Sequence, residues 1–140
     1  MKEPIFKYED GHAICIAEDK MGRKFIGEAW CAPEDQDMES KLVGSSIAEF
    51  RAQIAAATTY RNDLRLKLSA LNQLLYSMNH SSKFNPKSYE AKMLYRQIKI
   101  TKEDLNIAIH QLAVLKLNLF EYLNNKEELY KAIRKKRSTN

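Results

Sequence analysis

A heptad seam constrains this chain more than any other feature. Val43, Ile47, Phe50, Ile54, Ala57, Arg61, Leu64, Leu68, Leu71, Leu75 and Met78 succeed one another in steps that alternate strictly between four and three. Such a stripe stays on one side of an α-helix, and one sustained this long requires a partner helix. The chain supplies it: Ala91, Leu94, Ile98, Thr101, Leu105, Ala108, Leu112, Leu115, Leu119, Tyr122, Lys126, Leu129 and Ile133 keep the same rhythm. The connection from Asn79 to Pro86 is short, so the helices are expected to lie antiparallel. Asn85 and Pro86 are placed to cap and open the second helix. Leu75 should then lie opposite Ala91, Ile54 opposite Leu112 and Ile47 opposite Leu119. Arg61 interrupts the seam. An unpaired charge there is costly, so Arg61 is expected to reach Asp104 or to extend past it into solvent.

The first 36 residues have a different period. Ile5 to Tyr8 reads as a strand, closed by the turn Glu9-Asp10-Gly11. His12 to Glu18 follows, with Ile14 and Ile16 on one face and Ala13, Cys15 and Ala17 on the other. Asp19-Lys20-Met21-Gly22 turns the chain into a third strand, Arg23 to Cys31. There Phe25, Gly27, Ala29 and Cys31 alternate with Lys24, Ile26, Glu28 and Trp30. So small a sheet needs a helix on one face. Ala48, Ala52, Ala55 and Ala56, opposite the first seam, permit close approach by the sheet or a neighbouring helix.

The acidic run Pro33-Glu34-Asp35-Gln36-Asp37 suits the positive end of a helix dipole. As a divalent-metal loop it lacks the glycine and the spacing of an EF-hand. The first helix is expected from about Asp37 to Asn79, weakest at Gly44-Ser45-Ser46. The fold expected is α+β: an N-terminal three-stranded antiparallel β-meander followed by a long antiparallel two-helix coiled-coil hairpin. Residues 1–36 form the head and 37–140 the hairpin, with Leu129 to Ile133 laid over the third strand and the first helix turns.

Little in the chain carries chemistry. His12, His80 and His110 fall in a strand, a loop and a helix, with no i, i+4 pair for a metal. There is no Gly-rich phosphate loop or nucleophile elbow, and the four glycines are scattered. The carboxylate pairs Glu34/Asp35, Glu103/Asp104 and Glu127/Glu128 sit at helix starts or surfaces. Cys15 and Cys31 read as reduced, packed thiols rather than a zinc site. No catalytic residue, cofactor or metal is expected, and an enzyme is disfavoured. With 44% apolar and 29% charged residues the chain suits a folded, helix-rich protein. No apolar run spans a membrane and no signal peptide is evident, so the cytoplasm is the expected compartment.

Two surfaces invite partners. Residues 1–40 hold five Lys/Arg against ten Asp/Glu, and residues 41–140 hold eighteen against eight. The basic end Lys131, Arg134, Lys135, Lys136 and Arg137, with Lys87, Lys92, Arg96, Lys99 and Lys102 upstream, suits a phosphate backbone. Basic residues also belong at a helix C-terminus, where they meet the negative dipole end. Tyr89 and Tyr95 offer stacking or plain packing. Separately, Ile100, Ile107, Ala113, Val114, Leu117 and Phe120 lie away from the seam of the second helix. A helix apolar on two sides is buried on two sides. A second copy of the chain, giving a homodimeric four-helix bundle, or another protein is the expected cover.

At the junction of sheet and helix, Gly27-Glu28-Ala29-Trp30-Cys31-Ala32-Pro33-Glu34-Asp35, then Asp37, Gly44, Ile47-Ala48 and Arg51-Ala52, resemble small proteins of tailed phages and prophages of Gram-positive bacteria. These have a β-hairpin, a Cys-x-Pro-Glu-Asp-like junction and a following helix with an Ile-Ala-x-x-Arg-Ala-like run. Phe50 here stands before Arg51, and the second helix lies outside the resemblance. The resemblance implies phage origin and action in the cytoplasm of a bacterial host, and transfers no catalytic residue. Three strands before a helix also look like the arm-site DNA-binding domains of phage-type integrases, whose sheets read DNA; an acidic sheet region suits that poorly. The function expected is a non-enzymatic phage-encoded interaction protein binding a host or phage protein, in its sharpest form an anti-CRISPR-like inhibitor of a bacterial defence system. The alternatives are a nucleic-acid-binding accessory protein and a coiled-coil assembly factor.

Overall fold

The computed structural model describes residues 3–31 and 41–138. Three strands, β1 (Ile5–Glu9), β2 (His12–Glu18) and β3 (Lys24–Trp30), precede two long helices, α1 (Lys41–Asn79) and α2 (Tyr89–Ser138). The strands form one antiparallel sheet in the order β1-β2-β3. This is the expected α+β meander followed by two helices. The acidic run at Pro33, the start of the first helix and the expected boundary after residue 36 lie outside the described residues. No described helix is long and apolar enough to cross a membrane.

Both turns of the meander are set by local chemistry. Glu9 pairs with His12 across a two-residue loop whose Asp10 and Gly11 both have positive φ, 50° and 79°. That handedness matches the twist of the flanking strands, and Asp-Gly accepts it readily. In the second turn the Asp19 carboxylate accepts N–H bonds from Met21 and Arg23, both at 2.9 Å, and a 2.8 Å bond from the Arg23 side chain. Gly22 supplies the left-handed residue, at φ 82°. Partial desolvation opposes ionisation of Asp19, but these donors outweigh it and hold the carboxyl below its ordinary value of 3.8.

The chain forms two compact units: Met1–Ala56 with Leu112–Asn140, and Ala57–Gln111. In the first, one face of the sheet packs on α1. Ala13, Cys15 and Ala29 from the strands meet Ile47, Ala48 and Ala52, and Tyr8, Val43, Leu119 and Tyr122 close around them. Gly27 lies against the helix backbone itself. A Cβ at this position would fall on the Ala48 carbonyl oxygen and the Ala52 amide nitrogen. The expected alanine face of α1 is therefore the seat of the sheet. Arg51 clasps the contact from outside, donating to the Glu28 carbonyl at 2.6 Å. Side chains lean toward the N-terminus of their own helix, so on antiparallel neighbours Phe50 and Tyr122 lean together, and their ring centroids lie 5.8 Å apart. Leu119 packs on the cluster that holds Ile47, the residue expected to face it. Tyr130 is buried; the side chains of Leu129 and Ile133 lie outside the described residues.

The second unit is a helical hairpin. Leu64 from α1, and Ala91, Leu94, Ile98, Thr101 and Ala108 from α2, are its buried residues, all of them seam positions. Thr101, the polar member, bonds its hydroxyl to the Gln97 carbonyl at 2.7 Å. The expected cap of α2 is corrected. Ser88, not Asn85, takes that role: its hydroxyl accepts the Ala91 N–H at 3.2 Å and its carbonyl accepts that of Lys92. Asn85 is occupied earlier, accepting the Lys87 N–H at 3.0 Å in a turn of its own.

Two predictions follow from these contacts. Gly27→Ala, which forces a methyl into helix backbone, should destabilise the chain by about 3 kcal/mol in chemical denaturation; an unchanged midpoint would show that the sheet is not held this closely. The folded value of Asp19 lies below its unfolded value, so its contribution is present above pH 3.8 and lost as pH falls through the folded value. Asp19→Asn should lower Tm at neutral pH and flatten that acid limb in thermal melts.

Candidate interaction surfaces

The seam residues of α1 and α2 whose burial is described are all buried or half-buried, which leaves the remaining apolar side chains to define surfaces. In the heptad frame Ile100, Ile107 and Val114 repeat at one outward position, and Ala113, Leu117 and Phe120 occupy the two beside it. In the first unit, Ala113, Leu117 and Phe120 follow i, i+4, i+7 spacing and form one patch with Val114. Val114, Leu117 and Phe120 are 43%, 54% and 61% exposed, so the chain's own sheet does not cover them. Ile100 and Ile107, in the second unit, are exposed as well. The sequence thus located outward apolar side chains correctly, and the structure brings Val114, Leu117 and Phe120 together.

The outer face of the sheet is a second surface, and sequence reasoning did not single it out. Its alternation was read correctly, with Ile14, Ile16, Ile26, Glu28 and Trp30 on the side away from α1. What the alternation did not show is how much of that side stays open. His12 is also more than a scattered histidine. Its ring stacks on Trp30 at 3.5 Å between centroids and 6° between planes, and its Nε2 lies 3.7 Å from the Glu28 carboxylate, too far for a hydrogen bond. This Nε2 is buried without a hydrogen-bond partner. The signal for the stack was the cross-strand pairing of His12 with Trp30, which the turn between β2 and β3 determines.

The remaining expected site residues fall as follows. Lys131, Arg134, Lys135 and Lys136 are exposed near the end of α2, and the Arg137 side chain lies outside the described residues. Arg61 is half-buried and bonds Asn62 Oδ1 through two nitrogens at 3.4 and 3.3 Å. Its guanidinium turns along its own helix, and no ion pair or hydrogen bond joins it to Asp104. No disulfide joins Cys15 and Cys31. Burial, with a smaller effect from Glu49, pushes the Cys15 thiol up, so it packs as a neutral group. Among the described residues no three His, Cys, Asp or Glu side chains gather where a metal ion would bind.

Comparison with protein-family models, curated proteins and solved structures finds no match to this chain.

The long bonds to Asn62 do little to offset burying part of a guanidinium at a seam position. Arg61→Leu should therefore raise stability by about 1 kcal/mol, while Asp104→Ala should change it by less than roughly 0.5 kcal/mol. Paired denaturation curves check both, and a large loss on Asp104→Ala would restore the Arg61–Asp104 pairing.

Proposed function

We propose that this chain is a non-enzymatic, phage-encoded interaction protein that binds a host or phage protein in the cytoplasm of a bacterial host. Inhibition of a host defence complex is the sharpest form of this reading. The observation that carries it is the patch of Val114, Leu117 and Phe120. Three large apolar side chains stand in solvent on a helix whose other side is already committed to packing. Exposed apolar side chains clustered in this way are characteristic of protein-binding surfaces, and a rigid helix lowers the entropic cost of presenting them. The phage origin and the host compartment come from the sequence resemblance at Gly27 to Ala52.

A second reading rests on the exposed Lys131, Arg134, Lys135 and Lys136. Four cations within two turns at a helix end suit a phosphate backbone, and make nucleic acid the alternative partner.

The test is affinity purification of the full chain from infected cells, beside the variant Val114→Ser, Leu117→Gln, Phe120→Ser. These positions point outward, so circular dichroism and Tm should be unchanged. The native chain should retain a stoichiometric protein whose affinity for the variant falls at least about tenfold. Equal retention by both proteins would remove the α2 patch as the binding surface. Retention of nucleic acid that is lost in moderate salt and on substitution of the four cations would favour the second reading.

A further inference from the structure

The cross-strand registers arrange the outer face of the sheet in rows. Ile5, Ile16 and Ile26 share one row, and Lys7, Ile14 and Glu28 the next. Glu9, His12 and Trp30 make the third, and Glu18 with Lys24 lies beyond the isoleucine row. The first row is apolar across all three strands. In the second, an isoleucine separates a lysine on one edge strand from a glutamate on the other. Ile5, Ile26 and Trp30 are 57%, 59% and 69% exposed. Lys7 and Glu28 are two strand spacings apart, about 10 Å, so they do not neutralise one another within the chain.

We propose that this face pairs with the same face of a second copy of the chain, about a two-fold axis running along β2. Rotation about that axis sets β1 of one copy over β3 of the other. Each row then meets its own counterpart. Ile5 lies over Ile26, Ile16 over Ile16 and Ile14 over Ile14. Lys7 lies over Glu28 at one edge, and Glu28 over Lys7 at the other. Sheets stacked face to face lie about 10 Å apart and within about 30° of alignment, a gap that long lysine and glutamate side chains bridge at the margin. The other face-to-face arrangement has its axis across the strands. It sets Lys7 over Lys7 and Glu28 over Glu28, and it buries the isoleucine row against Glu9 and His12. Glu18 meets its own copy at the margin of this contact, so the choice between the two arrangements rests on the two Lys7–Glu28 pairs, which the first forms and the second replaces by like charges.

Three short strands offer well under the roughly 800 Å² per partner of a standard stable interface. The dimer is accordingly weak and concentration-dependent. This pairing is independent of the α2 reading, since the surfaces share no residue.

Trp30, the sole tryptophan, borders the contact and reports on it. The test is sedimentation equilibrium of the full chain over a concentration series, with tryptophan emission recorded in parallel. A monomer–dimer equilibrium is expected, with emission moving to shorter wavelength as dimer forms. Lys7→Glu and Glu28→Lys, each placing like charges opposite one another, should each weaken it at least about tenfold. The double variant Lys7→Glu, Glu28→Lys should restore it, and circular dichroism monitors the fold throughout. A strict monomer at every concentration would overturn the proposal, as would a dimer indifferent to both single reversals or one that the double variant does not recover. Loss of the dimer in the Val114, Leu117, Phe120 variant, with the charge variants unaffected, would place the second copy on α2 and overturn it equally.

Discussion

The approach of the sheet to α1 at Gly27 decides most of what this protein presents to others. Three short strands cannot sustain a fold by themselves, and the residues they set against the helix at the centre of the contact are small: Ala13, Cys15, Ala29 and Gly27. Small residues bury little area each, so they contribute chiefly by letting backbones come close and by maximising contacts at short range. Ala48 and Ala52 answer in kind from the helix. Because this contact takes the middle of one face of the sheet, the bulky side chains Ile26 and Trp30 are left on the other. The same commitment turns the α1 seam, with Ile47 and Phe50, toward α2.

The heptad rhythm plays the corresponding part for the helices. It assigns one side of α2 to the seam, from Ala91 through Tyr122, and leaves several other apolar side chains on the helix surplus to the fold. Val114, Leu117 and Phe120 are such a surplus. Exposed leucine and phenylalanine cost solubility with no return in stability, which is why the proposed docking role is placed on them. The sheet face and the α2 patch are distinct in character. One sets Lys7 and Glu28 on opposite edges of a single row; the other presents Val114, Leu117 and Phe120, all apolar.

Much of this was legible in the sequence wherever a period dictates the outcome. The alternation in His12 to Glu18 gave the strand and both its faces, Asp10-Gly11 gave the tight turn, and steps of four and three gave the seam positions. What escaped was set by choices that a period does not make. Asn85 and Ser88 are both good caps, and only the chain path shows that Asn85 spends its side-chain oxygen on the Lys87 N–H. Arg61 had Asp104 in reach by register, yet a flexible side chain with an acceptor on the very next residue takes the nearer bond. The stacking of His12 on Trp30 depends on the exact length of the turn between β2 and β3, which sets their register. The acidic run after Pro33 lies outside the described residues, so the sequence reading of that segment stands as an expectation.

The measurement that bears most directly on the central claim is hydrogen–deuterium exchange on the full chain, read segment by segment. If the sheet is seated on α1 through Gly27, Ala48 and Ala52, the amides of β2 and of α1 around Ala48 to Ala52 belong to one cooperative unit. They should then exchange together and share the slowest class of the first unit. Strands that exchange orders of magnitude faster than that stretch of α1 would contradict the account, since the sheet would then open without disturbing the helix on which it is said to depend.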